Sequence, residues 1–294
     1  MEGVSIIICC YNSAKRLPET LAHITRQKVP VNVPWEVILV DNASADNTRE
    51  VAEQASSGIH LRVVYEERRG LSSARRRGIA ESNYDTLIFC DDDNWLDENY
   101  AASAFGIMRD KSIGAVGGIG TPHFETREPA WFHYMSSYYA VGEQQNNVIP
   151  EMSNRRYLYG AGMVISKEAI TRLLAEGFSN VTSDRVGNTL ISGGDTEISL
   201  ALQQRGYRVE YSDSLKFRHY IPKDRLTIGY CSRLIIGIGY SSQMLHRKPV
   251  SLSRVIKAAI MVLIPLRRFG TFFQKWRLFL FEVGRYKFHS SGQK

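Results

Sequence analysis

The sequence predicts an α/β protein: a mostly parallel β-sheet flanked by helices, followed by a basic helical tail. Three observations predict it. Short β-branched apolar runs alternate with segments of helical period. The 294 residues are 44% hydrophobic and 23% charged, enough to bury a sizeable core, which excludes a disordered or fibrous chain. The positive charge sits at one end: residues 246–294 carry eleven Lys/Arg and one acid, Glu282, a net +10, whereas the remainder has 26 basic against 29 acidic residues, a net −3. The overall +7 is therefore no argument for nucleic-acid binding.

Val4–Cys10 (VSIIICC) and Glu36–Asp41 (EVILVD) are the uninterrupted runs of strands buried on both faces. Between them, residues 18–27 fit a helix with Pro18 in its first turn, where a missing N–H costs nothing. The pattern repeats as a helix over 46–56 opening on Asp46, a strand LRVVYE (61–66), a helix over 72–82, a strand TLIFC (86–90) and a helix after Asp97. After GAVGGIG (114–120) comes an aromatic-rich stretch, 124–159, read as a mixture of core residues and stacking faces for a sugar. A strand GMVIS (162–166) then leads into a helix from Lys167, SGGDTE (192–197) opens another helix, and YRVEY (207–211) forms a strand. Cys9, Cys10, Cys90 and Cys231 show no CxxC spacing and read as reduced core residues. The N-terminus lacks the basic start and cleavage site of a secretory signal, so a cytoplasmic location is expected.

In sheets of this kind ligands bind outside the carboxyl ends of the strands. Polar residues gather there: Tyr11 and Asn12 after the first strand, Asp41 and Asn42 after the second, Asp91, Asp92 and Asp93 after the fourth. Carboxylates at a strand end suit a hard divalent cation, and a solvated acidic turn is the competing reading. On an extended chain Asp91 and Asp93 share one side and Asp92 points away. Asp195, at the start of a helix, is a natural cap on the bland reading. Arg75, Arg76 and Arg77 follow Ser72 and Ser73 at another helix start, a phosphate-binding composition in which one or two of the arginines can reach any one ligand.

The ordered set CYN, VDNASADNT, GLSSARRRG, FCDDD and GGDTE, spread over about residues 3–225, resembles family 2 of the glycosyltransferases, inverting enzymes with the Rossmann-like GT-A fold. The resemblance implies a GT-A domain over 1–225 and a basic amphipathic helical tail over 226–294. It implies that Cys10, Tyr11, Asn12, Asp41, Arg75, Asp91 and Asp92 form the donor site. In it Asp41 would accept a hydrogen bond from the base, uracil in the commonest case, Arg75 would lie near the diphosphate and Asp91 near the ribose. Asp93 would bind Mn2+ or Mg2+, His219 in KFRHYIP matches a position near the metal in some relatives, and Asp195 would be the general base. A packing histidine is the alternative for His219. Gly194 and Arg76 depart from the family's usual Glu and Asn. The implied activity is metal-dependent, inverting transfer from a nucleotide-sugar, UDP-linked in the commonest case, to a glycan or lipid-linked acceptor in bacterial surface polysaccharide or glycolipid synthesis. A sugar-phosphate nucleotidyltransferase would need a Gly-rich loop where CCYNSAKRL stands. The remaining alternative is a catalytically silent nucleotide-sugar-binding or membrane scaffold protein on the same fold.

The tail interleaves Lys/Arg with Phe, Trp and Leu, the composition of a segment lying on an anionic membrane, or of a basic helical pair packed on the catalytic domain or a subunit partner. Its longest uncharged run, Ala258–Leu266, contains Pro265 and is far short of the roughly 20 residues that span a bilayer. The expected partners are thus a nucleotide-sugar donor, a glycan or lipid-linked acceptor, an anionic membrane surface and a second copy of the chain. The expected place is peripheral, on the inner face of the cell membrane.

Overall fold

A computed structural model of the chain describes residues 1–54, 59–149, 155–182, 184, 190–246, 251–263 and 269–290. Residues 55–56 of the expected 46–56 helix and 264–266 of the tail's uncharged run lie outside them. Continuous apolar sequence puts β1 (Val4–Cys10) in the interior of an eight-stranded sheet, parallel to β2 (Trp35–Asp41) on one side and to β4 (Thr86–Asp91) on the other. Beyond β2 lies β3 (Leu61–Tyr65), also parallel. Register pairs Cys10 with Asp41 and Cys9 with Asp91, so three strands end level with one another.

The other half of the sheet corrects the expectation of a mostly parallel one. β9 (Val164–Ser166) runs antiparallel to β4 and to β6 (Ile113–Phe124). Next to β6 lies β10 (Arg208–Ile221), whose far side pairs antiparallel with the short β5 (Asn94–Leu96). A parallel neighbour needs a crossover of a dozen or more residues, usually a helix. Between β6 and β9 the described residues contain no α-helix, only two 3-10 turns (Phe132–Tyr134 and Ser136–Tyr139) and the small ribbon of β7 (Val148–Ile149) with β8 (Arg155–Arg156). Apolar runs report burial but not strand direction. β10 also extends ten residues past the expected YRVEY, because LKFRHYI alternates buried Leu215, Phe217, His219 and Ile221 with more exposed neighbours.

Both faces of the sheet are covered. Ile6, Ile8 and Leu39 meet Leu17, Leu21 and Ile24 of α1 (Leu17–Thr25), while Ile7, Ile38 and Phe89 meet Ile79 of α3 (Leu71–Glu81), Ile170 of α5 (Lys167–Ala175) and Leu202 of α6 (Gly194–Gln204). The remaining helices of this region are α2 (Thr48–Gln54) and α4 (Tyr100–Met108).

The chain divides into two compact units. Met1–His123, Ala140–Asn180 and Asp195–Tyr220 build the sheet unit; Phe124–Tyr139, Val181–Gly194 and Ile221–Lys294 build the second. The second unit therefore draws in two segments that lie N-terminal to residue 225. Within it, α7 (Ile228–His246) lies along α9 (Phe269–Ser290), with Tyr240 edge-on to Phe288 and Arg285 Nε donating to Gln243. α8 (Leu252–Leu263) joins α9 through Glu282, buried between Arg254 at 3.0 Å and Arg285 at 3.6 Å. Part of the aromatic stretch, Trp131, Phe132 and Tyr139, is core of this unit. Among the described residues no helix is long and apolar enough to cross a membrane.

Candidate active site

The level strand ends of β1, β2 and β4 assemble the site within the sheet unit. After β1, Asn12 turns the chain with φ +50°, a conformation Asn tolerates better than most residues. Its amide oxygen accepts from Ala45 N (2.8 Å) and its own N–H donates to Ser44 Oγ (3.0 Å), which ties the loop after β1 to the loop after β2. Tyr11 stands exposed with the Arg69 guanidinium 5.6 Å over its ring. The Cys10 side chain, by contrast, is buried in the core, and burial holds its thiol well above the ordinary range. Asp41 is buried and accepts from Ser44 N (3.1 Å). Its neighbour Asn42 donates to Glu66 O and Arg68 O and accepts from Gly70 N, which fixes the loop that launches α3.

On α3 the three arginines diverge. Arg75 is buried, lies 5.1 Å over the Phe89 ring and places Nη2 3.9 Å from Asp91 Oδ1. Arg77 pairs with Glu81 on its own helix. Arg75 is thus the one of the three that meets the acidic strand end.

β4 stops at Asp91, and Asp92 and Asp93 form a turn, so the extended-chain alternation does not continue through the triplet. The three carboxylates part company. Asp91 faces Arg75, Asp92 accepts from Ser13 Oγ and from Arg16 Nη2 (2.5 Å), and Asp93 Oδ1 lies 3.5 Å from His219 Nε2. Each negative charge has its own cationic or imidazole neighbour, which is how a DDD run is accommodated at the end of a buried strand. Burial pushes the Asp91 carboxyl above its ordinary value, against the pull of Arg75 and with Asp93 adding to the rise. Asp92 is raised by burial and by Asp93, with Arg16 opposing.

Pairing of β5 with β10 sets His219 opposite Asn94, and Tyr220 N donates to Asp93 O (2.8 Å). An aromatic stack holds this ribbon: His23 lies parallel to Trp95 with centroids 5.7 Å apart, Tyr220 stacks at 5.6 Å, and the Arg218 guanidinium sits 5.3 Å over the same indole. Burial and the Arg218 charge lower the His23 pKa, which favours the neutral ring.

Asp195 lies in the first turn of α6, where its Oδ1 accepts from Thr196 N (2.8 Å) and its Oδ2 from Gly160 N (2.6 Å). Gly160 is the hinge pin of the site. A Cβ there would lie 2.2 Å from Arg75 Nη2, so any larger residue has to displace the guanidinium that rests on this backbone beside the N–H donated to Asp195. Burial raises the nearby Tyr157 phenol, with the Asp195 charge adding.

The structure thus brings Asp41, Arg75, Asp91, Asp93, His219 and Asp195 to the sheet unit, with Arg75 and Asp195 in contact through Gly160. It turns Cys10 into the core and Asp92 toward Arg16. Arg16, Trp95 and Gly160 escaped the sequence reading, whereas Asn42 was placed at the strand ends without its role in fixing the loop before α3. Trp95 alone carried a signal, as a large aromatic two residues past the acidic run. Asp93 and His219 offer one oxygen and one imidazole donor, a fit for a cation that takes the rest of its shell from phosphate oxygens and water. Among the described residues no group of three or more His, Cys, Asp or Glu forms a metal cluster.

The glycosyl transferase family 2 model matches residues 5–174. Poly-beta-1,6-N-acetyl-D-glucosamine synthase of Staphylococcus aureus is 26% identical over 215 residues, covering 72% of this chain and 48% of that protein. Glycosyltransferase AglE of Haloferax volcanii is 33% identical over 117 residues, 39% of this chain and 38% of its own length. The chain spans about half the length, or less, of these curated relatives. Two solved structures share the fold. The Pyrobaculum calidifontis mannosyltransferase PcManGT, in complex with GDP-Man and Mn2+, aligns with TM-score 0.58 at 18% identity, over 99% of this chain and 76% of that one. S. aureus TarS 1-349, in complex with UDP-GlcNAc, aligns with TM-score 0.57 at 11% identity, over 98% and 92%.

Proposed function

The chain belongs to glycosyl transferase family 2, with the α/β GT-A fold, and from that premise we propose that it transfers a sugar from a nucleotide-diphospho-sugar to a hydroxyl of a glycan or lipid-linked acceptor, with inversion. The observation that carries the reading is the junction at Gly160, which the buried Arg75 guanidinium and the Asp195 carboxylate both approach, beside the acidic end of β4.

Arg75, held by Phe89 and Gly160, faces the diphosphate and offsets the charge that grows on the leaving oxygen. Asp41 meets the base, and Tyr11 and Asn12 flank the nucleotide. Asp93 and His219 would hold Mn2+ or Mg2+, which when bound supplies Lewis-acid stabilisation of the leaving diphosphate. Asp195 takes the proton of the acceptor hydroxyl as the new anomeric C–O bond forms and the anomeric carbon–phosphate oxygen bond breaks. Its two hydrogen bonds from backbone N–H groups keep the carboxylate aimed. One displacement needs no enzyme nucleophile. The UDP reading, with a hexose or N-acetylhexosamine, is supported by the likeness to a relative named for N-acetylglucosamine polymer synthesis and to a fold neighbour in complex with UDP-GlcNAc. The one-sided charge of the tail supports an acceptor presented at an anionic membrane surface.

Purified protein with Mn2+ is expected to be stabilised against heat by UDP-sugars. Asp195→Asn is expected to retain that shift while transfer falls by about 10²- to 10⁴-fold. Transfer by the variant at the parent rate, or no shift with any nucleotide-sugar, sinks the reading.

A further inference from the structure

One strip of the exposed side of α8 is apolar where a water-facing helix is usually polar. On the arc toward α9, Ala258 is buried and Val255 and Val262 are half-buried. Leu252, Ile256 and Ile260, spaced i, i+4 and i+8, form a separate row and are 52%, 49% and 54% exposed. That row runs about 12 Å along the helix. Lys257 is exposed beside it, and Arg254 stands on the same helix. The sole acid of residues 246–294, Glu282, is buried under Arg254 and Arg285. The outward charge of the tail's described residues is therefore positive only.

We infer that α8 lies in the plane of an anionic membrane interface, with Leu252, Ile256 and Ile260 among the acyl chains and Lys257 at the level of the lipid phosphates. The described helix, Leu252–Leu263, is short of the roughly 20 residues that span a bilayer, and an exposed apolar row flanked by cations is the pattern of a helix lying in one leaflet's interface. An anionic bilayer accepts an apolar row and its flanking cations together, whereas a second copy of the chain would bring like charges against each other. The inference deepens the membrane-surface part of the proposed function, on which it rests, and depends on no step of the transfer chemistry.

The test is flotation of the full chain with phosphatidylcholine vesicles containing roughly 30% phosphatidylglycerol, and with pure phosphatidylcholine. The parent is expected to float with the first and not with the second. The triple variant L252S/I256S/I260S is expected to float about tenfold less or worse, with its circular dichroism and its nucleotide-sugar thermal shift unchanged. Lys257→Gln should lower flotation by a smaller factor. Ile260→Glu alone should reproduce the loss, and it keeps the test decisive if the triple variant does not fold. Flotation of the triple variant at the parent level overturns the inference, and so does equal binding to neutral vesicles. A parent that stays in solution as a dimer, made monomeric by the triple variant, overturns it in favour of a second copy. Lost flotation with intact donor binding separates this inference from the transferase reading.

Discussion

Three adjacent carboxylates survive at the end of a buried strand because each faces a different partner: Asp91 toward Arg75, Asp92 toward Arg16 and Ser13, Asp93 toward His219. None of these partners lies nearer than sixteen residues in sequence, so the triplet reads as one acidic run until the chain is folded. Gly160 makes the same point from the other side. Its neighbours are Arg75 and Asp195, and no local signal marks it among 23 glycines. Gly160→Ala is expected to push the guanidinium off its seat and cut transfer by about a hundredfold, the scale of a 1 Å misplacement. Placing the same change in an Arg75→Lys background is expected to cost far less, because lysine has no planar fork to displace. Equal losses in both backgrounds, measured as kcat in a double-mutant cycle, would show that Gly160 acts without Arg75. The cysteines carry a prediction of their own. Burial pushes the Cys231 thiol up to about 11 and holds Cys10 and Cys90 well above the ordinary range. Thiolate is the reactive form, so at pH 8 these three should resist a disulfide reagent in the native protein and react at once in denaturant. Because burial lifts the folded Cys231 pKa above the ordinary thiol value, its contribution to stability is full below that ordinary value and is lost as pH rises toward 11.

At the scale of elements, the strands with uninterrupted apolar sequence fell where their pattern put them, and the helices between them opened near the expected Pro18 and Asp46. Two elements were read incompletely for opposite reasons. β5 is three residues long, too short for periodicity to register, and of the fourteen-residue β10 only the YRVEY start was read, because Lys216 and Arg218 on its exposed face interrupt the apolar run of its second half. Their antiparallel pairing nevertheless decides where His219 stands. Trp95, stacked with His23 and with Tyr220 and with Arg218 over its ring, clamps that ribbon. Trp95→Ala is expected to weaken Mn2+ binding by about tenfold, as loss of an outer support does, read by calorimetric titration in the presence of UDP. Unchanged affinity would remove Trp95 from the support of His219.

For the molecule as a whole, the family membership and the α/β plan were legible in the ordered strand-end motifs, and the one-sided charge of residues 246–294 was legible in composition. The strand-end acids were legible too, because a buried strand must finish in polar residues at the edge where ligands bind. Strand direction on the far half of the sheet, the interleaving of the two units and the burial of Glu282 were not. Sequence by itself determined which residues are buried in strands and which polar groups close them, since those are properties of short windows governed by hydrophobic period and turn chemistry. Only the tertiary structure decided which carboxylate meets which cation, that Gly160 joins Arg75 to Asp195, and that α8 turns an apolar row outward. Each of those rests on contact between segments distant in the chain, and proximity in space leaves no mark in any one of the segments that share it.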